Sequence, residues 1–108
     1  MNVEEASTKY NLTEQEITTY ERKGFIKAGD NGYTDETFKN LGVLRTLLSA
    51  GMDDEEICRY LKASDEGAKR EQTAVLRGFR AKLLERVHTA QQALDHIDYL
   101  LFEINNKK

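Results

Sequence analysis

The sequence has 108 residues, of which 39% are hydrophobic and 32% are charged, and it contains no proline. This length suffices for one compact domain, and the lack of proline favours helices, because proline interrupts them. No apolar run approaches the roughly 18 residues that a membrane-spanning helix needs, so we predict no membrane span. A single cysteine, Cys58, excludes an internal disulfide framework and indicates a reducing, cytoplasmic location.

The distribution of charge bears on nucleic-acid binding. Residues 1–62 carry 8 Lys or Arg and 12 Asp or Glu, a net charge of −4, whereas residues 63–108 carry 8 and 7, a net charge of +1. Nonspecific DNA affinity comes from the neutralisation of phosphates by cations. The acidic N-terminal part therefore argues against strong nonspecific binding to DNA.

The first part of the chain predicts two short helices joined by a tight turn. The first helix is expected over residues 3–10. Thr13 is followed three residues later by Glu16, and this capping box predicts the start of a second helix. That helix is expected to end at Gly24, a residue suited to a left-handed cap. Two such helices are typical of a helix-turn-helix.

The segment from Phe25 to Tyr33 predicts a small β-hairpin, or wing, because Asn31-Gly32 favours a tight hairpin turn. A third helix is expected to begin at Thr34 or Asp35 and to end at Gly51.

Asp53, three residues before Glu56, predicts the start of a fourth helix. The segment 63–68 is small and polar, which indicates a linker.

From about Lys69 to Ile104 the sequence predicts a single helix, a rod about 54 Å long. Apolar residues recur along it at steps of three and four, which is typical of a coiled-coil seam. The predicted seam consists of Leu76, Phe79, Leu83, Val87, Ala90, Leu94, Ile97, Leu101 and Ile104. About sixty preceding residues cannot cover this stripe, so we expect a partner helix. An identical chain is the simplest partner, and a different chain is the alternative.

The remaining polar clusters favour structural roles. Cys58 has no second thiol beside it, and His88 and His96 are eight residues apart, not the four that would place two metal ligands on one helical face. The acidic run 53–56 suits a helix N-terminus. Basic residues in segment 69–86 suit interhelical ion pairs better than a nucleic-acid stripe. We find no nucleophile-base pair or phosphate-binding glycine loop, and expect no enzyme, metal or cofactor.

The segment Tyr20-Glu21-Arg22-Lys23-Gly24-Phe25-Ile26 resembles the tyrosine-glutamate-arginine-x-glycine-leucine segment of MerR-family transcriptional regulators. Other similar features occur in the same order: Thr13, Thr34-Asp35-Glu36, the leucine-rich stretch from Leu41 to Ala50-Gly51-Met52, Glu55-Glu56-Ile57, and the long helix. The resemblance extends over essentially the whole chain.

This resemblance implies a mainly α fold: a winged helix-turn-helix head (residues 1–62), a linker (63–68) and a dimerisation coiled-coil helix (69–108). It implies an antiparallel homodimer that binds two-fold-related promoter DNA, with the second helix in the major groove and the wing on the backbone. It also implies a cytoplasmic regulator without a small-molecule or metal sensor domain. The DNA-contacting residues it implies are Tyr20, Arg22, Lys23, Lys27, Tyr33 and Arg45.

Three positions depart from the family pattern. Thr18 and Thr19 stand where the family usually has arginine and tyrosine, and Asn31 stands where the family wing carries arginine. A bidentate arginine contributes about 1–3 kcal/mol of base discrimination. The alternative hypothesis is therefore a MerR-like module that has lost specific DNA binding and contacts another protein, such as a regulator.

Overall fold

The computed structural model describes residues 1–107, and over this range the chain is mainly helical without extended strands. The helices are α1 (Val3–Tyr10), α2 (Glu14–Arg22), α3 (Leu41–Ser49), α4 (Asp54–Asp65) and α5 (Lys69–Asn106). The chain divides into two compact units, one of residues 1–73 and one from residue 74 onward. Between residues 1 and 107, every helix is too short or too polar to cross a bilayer.

Helices α1 and α2 form the predicted helix-turn-helix, and each begins with a capping box. The Asn2 side chain accepts a hydrogen bond from the Glu5 backbone N–H at 2.9 Å, and Thr13 accepts one from Glu16 at 3.0 Å. Each glutamate in turn accepts a hydrogen bond from the backbone N–H of its capping residue. Asn11 makes the turn between the helices with a left-handed backbone at φ 53°, which asparagine tolerates better than most residues.

The wing is shorter than the sequence predicted. Gly24 ends α2 in the left-handed region as expected. Beyond it, residues 25–33 form one antiparallel pair, Gly29 with Gly32, rather than two strands. The reason is that Tyr33 pairs elsewhere. Its backbone N–H donates to the Met1 carbonyl at 3.0 Å, and the Met1 amino group donates to the Tyr33 carbonyl at 2.7 Å.

The third helix begins later than Thr34 or Asp35, so that prediction was wrong. Residues Glu36–Phe38 form a single turn of 3₁₀ helix, and α3 begins at Leu41. Asp35 makes no capping hydrogen bond. Its carboxylate instead accepts hydrogen bonds from the Lys9 ammonium, at 2.8 Å, and from the Tyr10 hydroxyl. A side chain bound to α1 in this way is not available to cap a helix start.

Helix α4 begins as predicted, with the Asp53 side chain accepting a hydrogen bond from the Glu56 N–H at 2.8 Å. It continues to Asp65, so the first half of the expected linker segment 63–68 is helical. Gly67, with φ +67°, follows the end of α4. Only three residues, 66–68, separate α4 from α5.

A single apolar core holds α1 to α4 together. Ile17 of α2, Leu44 of α3 and Ile57 of α4 are fully buried, with exposed fractions of 0%, 1% and 0%. Full burial of such a side chain stabilises the fold by about 1.5–3 kcal/mol. Because Ile17 anchors the inner face of α2 in this core, the opposite face of α2 is directed to solvent.

Helix α5 has 38 residues and is therefore about 57 Å long. Within the predicted seam, Phe79 is buried and Leu83 is half-buried. The other predicted seam residues are exposed: Leu76, Val87, Ala90, Leu94, Ile97, Leu101 and Ile104. Val75, outside the predicted seam, is also buried.

Candidate nucleic-acid interface

The outer face of α2 carries a polar stripe. Gln15, Thr18 and Arg22 are exposed and follow one another at steps of three and four residues, so they share one side of the helix. Ile17 lies on the opposite side, in the core. Amide, hydroxyl and guanidinium groups are those that recognise base edges in the major groove. Gln15 was not among the predicted contact residues, although its offset of two residues from the buried Ile17 places it on the opposite side of α2.

Two of the predicted contact residues, Arg22 and Lys27, are unengaged cations. Both side chains are exposed. Across residues 1–107, neither has a hydrogen bond or an ion pair with another side chain. A cation without an internal partner can bind a phosphate without first losing a contact in the protein. Arg22 and Lys27 are therefore the side chains best prepared for phosphate contact.

Lys23, at the end of α2, is engaged with α4. Its ammonium lies 3.3 Å from the Asp54 carboxylate and 6.0 Å from the centre of the Phe25 ring. Its backbone carbonyl accepts a hydrogen bond from the Cys58 thiol at 3.2 Å. Burial, followed by the charge of Asp54, raises the pKa of that thiol. Cys58 thus connects α4 to the end of α2 as a protonated donor, and Lys23 would have to leave Asp54 to reach a phosphate.

Two of the predicted contact residues, Tyr20 and Tyr33, connect α2 to the wing. Tyr20 is half-buried, with its ring 6.2 Å from that of Phe25. Burial, and then the neighbouring Glu16, raises the pKa of Tyr20. The Tyr33 hydroxyl donates to the Glu21 carboxylate at 2.8 Å, and this hydrogen bond is the main reason that the pKa of Tyr33 is raised. Tyr33 therefore fastens the wing to α2.

Arg45 of α3 is also engaged. Its Nη2 donates to the carbonyls of Tyr10 and Asn11 at 3.3 and 3.4 Å. These carbonyls end α1, where the helix dipole favours a positive charge. The charge of Arg45 also helps to lower the pKa of Glu16, after the larger effect of the hydrogen bonds from Thr13. Arg45 consequently stabilises the turn between α1 and α2.

The structure thus places most of the predicted contact residues around α2. Tyr20 and Arg22 belong to it, Lys23 caps it, Tyr33 bonds to its Glu21, and Arg45 lies near its Glu16. Lys27 stands apart on the wing. Among residues 1–107, no group of three or more His, Cys, Asp or Glu side chains is arranged to hold a metal ion.

A model of the MerR HTH family of regulatory proteins matches residues 1–64, more than half of the chain. The chain belongs to the MerR family. A solved structure of a MerR-family transcriptional regulator from Listeria monocytogenes is similar, with a TM-score of 0.71 and 25% identity over 98% of this chain and 86% of that chain. A MerR-family regulator from Bacillus thuringiensis shares the fold, with a TM-score of 0.62 and 19% identity over 95% and 97% of the two chains. No curated protein matches significantly.

As a MerR-family member, this chain has the helix-turn-helix and the long helix but a wing reduced to one residue pair. The engagement of Lys23, Tyr33 and Arg45 within the head could not be seen in the sequence, because their partners are distant along the chain or on another element.

Proposed function

We propose that this MerR-family chain is a cytoplasmic, dimeric transcriptional regulator that binds two-fold-related promoter DNA. The observation that best supports the proposal is the exposed face of α2, where the polar side chains of Gln15 and Thr18 adjoin the unengaged Arg22. In a helix-turn-helix, the second helix enters the major groove and the flanking elements lie against the backbone. Lys27, on the wing, supplies a second cation for that backbone.

The predicted contact residues then have different roles. Arg22 and Lys27 neutralise phosphates directly. Tyr33, through Glu21, holds the wing beside α2, and Arg45 fixes the turn that orients α2. Tyr20 supports the end of α2 from beside Phe25. Lys23 gains less from a phosphate than Arg22 does, because it must give up its ion pair with Asp54.

The apolar stripe of α5 supports dimerisation. Val87, Leu94, Ile97, Leu101 and Ile104 are each more than half exposed. Burying such side chains against a second helix stabilises the pair by up to about 1.5–3 kcal/mol each. A second copy of this chain presents the same stripe and closes the assembly with two-fold symmetry.

The charges on α5 support an antiparallel pair. Residues 69–86 carry six Lys or Arg and two Asp or Glu, whereas residues 87–106 carry three acids and no Lys or Arg. In an antiparallel pair, the basic half of each helix lies beside the acidic half of the other, and complementary charges beside the seam favour that pairing. A parallel pair would set the two basic halves side by side.

The test of the proposal is selection of binding sites by the purified full chain from a pool of duplexes with a randomised central segment. We expect enrichment of one site composed of two inverted half-sites, since a two-fold dimer presents two equivalent α2 helices. No enrichment at low ionic strength would contradict the proposal.

A second candidate function is a MerR-like protein-interaction module without DNA binding. It is favoured by the net charge of −4 on residues 1–62 and by the internal engagement of Lys23, Tyr33 and Arg45. The double variant Thr18→Arg, Asn31→Arg distinguishes the two functions. A DNA-binding head should gain affinity and a steeper salt dependence, because two cations are added per head. A head that does not face DNA should show no sequence-selective gain.

A further inference from the structure

The amide of Gln15, on the exposed side of α2, is available for two new hydrogen bonds. Gln15 is exposed, and across residues 1–107 its side chain has no hydrogen bond to another group. A glutamine amide carries donors on its nitrogen and an acceptor on its oxygen, side by side. Gln15 can therefore bind a group that presents one acceptor beside one donor, without first losing a contact in the protein.

Thr18, one turn later on the same side of α2, has no hydrogen to donate. Its hydroxyl already donates to the Glu14 carbonyl at 3.0 Å. Because a hydroxyl has a single hydrogen, Thr18 cannot donate to another molecule without breaking this bond. The oxygen is held against the backbone of α2, so the methyl group is the part of this exposed side chain that is left to make an outside contact.

Both side chains lie in the part of α2 that meets bases when such a helix enters the major groove. Gln15 is the second residue of α2 and Thr18 is the fifth, and the N-terminal residues of the second helix of a helix-turn-helix contact base edges. Along the helix axis the two residues are about 4.5 Å apart, and one base-pair step is about 3.4 Å. Gln15 and Thr18 therefore reach neighbouring base pairs.

The edges of the four bases fit these two side chains unequally. Adenine presents an acceptor, N7, beside a donor, the N6 amino group, and a glutamine amide pairs with both. Guanine presents two acceptors, N7 and O6, which the exposed carboxylate of Glu14, one residue before Gln15, disfavours. Thymine is the base that carries a methyl group on its major-groove edge, and the methyl of a threonine makes an apolar contact with it.

We propose that each α2 of the dimer recognises an adenine through the Gln15 amide and, in a neighbouring base pair, a thymine through the Thr18 methyl group. The inference rests on the DNA-binding function proposed above and names the bases that the exposed face of α2 selects. Thr18 stands where the family usually has arginine, a side chain that favours guanine. The half-site of this chain should therefore differ from an arginine-selected one at that base pair.

The test for Gln15 is selection from one pool of randomised duplexes by three full-length proteins: wild type, Gln15→Arg and Gln92→Arg. The last is the matched control, with the same substitution at an exposed position of α5. Wild type should prefer adenine over guanine at one position of each half-site by about 5- to 150-fold. Gln15→Arg should reverse this preference, because arginine bonds to both O6 and N7 of guanine, and Gln92→Arg should select the wild-type site.

The test for Thr18 is replacement of each thymine of the selected site in turn by deoxyuridine, which lacks the methyl group. At one thymine of each half-site, wild type should bind about fourfold more weakly, the effect expected for one buried methyl group. Thr18→Ser keeps the hydroxyl and should abolish this sensitivity. The matched control is Thr46→Ser, since the Thr46 hydroxyl likewise donates one turn back, to the Gly42 carbonyl, but on α3. It should keep the sensitivity.

A selected site at which Gln15→Arg changes no base would contradict the assignment of adenine to Gln15. Affinity that is insensitive to every deoxyuridine, or equally sensitive in wild type and Thr18→Ser, would contradict the assignment of thymine to Thr18. Both results leave DNA binding intact. The absence of any selected site for wild type would instead contradict the proposed DNA binding, and this inference with it, so the two failures are distinguishable.

Discussion

Arg22 and Lys27 differ from the other predicted contact residues because no protein contact competes with a phosphate for their charge. In a symmetric dimer, Arg22→Ala or Lys27→Ala removes two phosphate contacts. Each contact contributes about 0.9 to the slope of log K against log salt concentration, so each variant should lower the slope by about 1.8. The measurement is fluorescence anisotropy with a labelled duplex across a series of salt concentrations.

The matched control is Arg77→Ala, which removes the same charge from an exposed position on α5. It should leave the salt slope unchanged. Equal slopes for all three variants would show that Arg22 and Lys27 act only through net charge, which contradicts direct phosphate contact.

Gly32 is the glycine that the wing requires. Its φ is +79°, and a Cβ there would lie 2.9 Å from the Met1 carbonyl oxygen. Gly32→Ala should therefore lower the free energy of unfolding by at least about 1 kcal/mol. Gly42, within α3, has no atom within 4 Å of an added Cβ, and Gly42→Ala should raise it by about 0.5–1 kcal/mol. Urea unfolding of both variants measures the two free energies of unfolding. Equal effects of the two substitutions would show that a side chain at position 32 meets no backbone strain and no clash with Met1.

Among the helices, the capping box of α2 makes the free energy of unfolding depend on pH. Hydrogen bonds from Thr13, its backbone N–H first, lower the pKa of Glu16 from its ordinary 4.5. A lowered folded-state pKa contributes stability that is present above the unfolded pKa and is lost as the pH falls through the folded value. Thr13→Ala should cost about 1 kcal/mol near neutral pH. Because it removes the hydroxyl contribution to the lowered pKa and keeps the backbone N–H, it should reduce the loss of stability in acid only in part.

The control is Thr18→Ala, the same substitution on the exposed middle of α2, which should change stability little. Urea unfolding near pH 7 and near pH 3 gives the comparison. If Thr13→Ala and wild type lost stability equally in acid, the contribution of the Thr13 hydroxyl to the lowered pKa of Glu16 would be absent.

Elements set by neighbouring residues were predictable from the sequence. The Thr13–Glu16 capping box, the end of α2 at Gly24 and the Asp53 cap of α4 all follow local rules, and all three predictions were confirmed. The hairpin and the start of α3 were not predictable. Tyr33 pairs with Met1, and Asp35 binds Lys9 and Tyr10, and these partners lie more than 20 residues away.

The same distinction applies to the candidate site. Its position on α2 followed from the resemblance and from helical spacing. Which side chains already have a partner within the protein could not be predicted, because those partners are set by the fold. Lys23, Tyr33 and Arg45 are held by Asp54, Glu21 and the end of α1. Tertiary contacts decide which cations remain unengaged, and local sequence carries no information about them.

For the whole molecule, the predicted seam should govern assembly. Leu94 is 52% exposed and lies at the seam, so Leu94→Glu sets a buried charge in each helix of a pair and should convert the dimer to monomer at micromolar concentration. His96→Glu adds the same side chain on the outer side of α5 and should leave the dimer intact. Sedimentation velocity of both variants tests this, and a dimeric Leu94→Glu protein would contradict the seam.

The proposed binding mode places two α2 helices of one dimer on one two-fold-related DNA site. The most direct measurement compares the affinity of the full chain for the selected duplex with its affinity for a duplex in which one half-site is scrambled, at several salt concentrations. We predict a loss of at least about 10²-fold on scrambling, since several mismatched base pairs each cost about 1–3 kcal/mol, and a steep salt dependence for both duplexes. Equal affinity for the two duplexes, or no binding even at low salt, would contradict two-fold binding by the α2 helices.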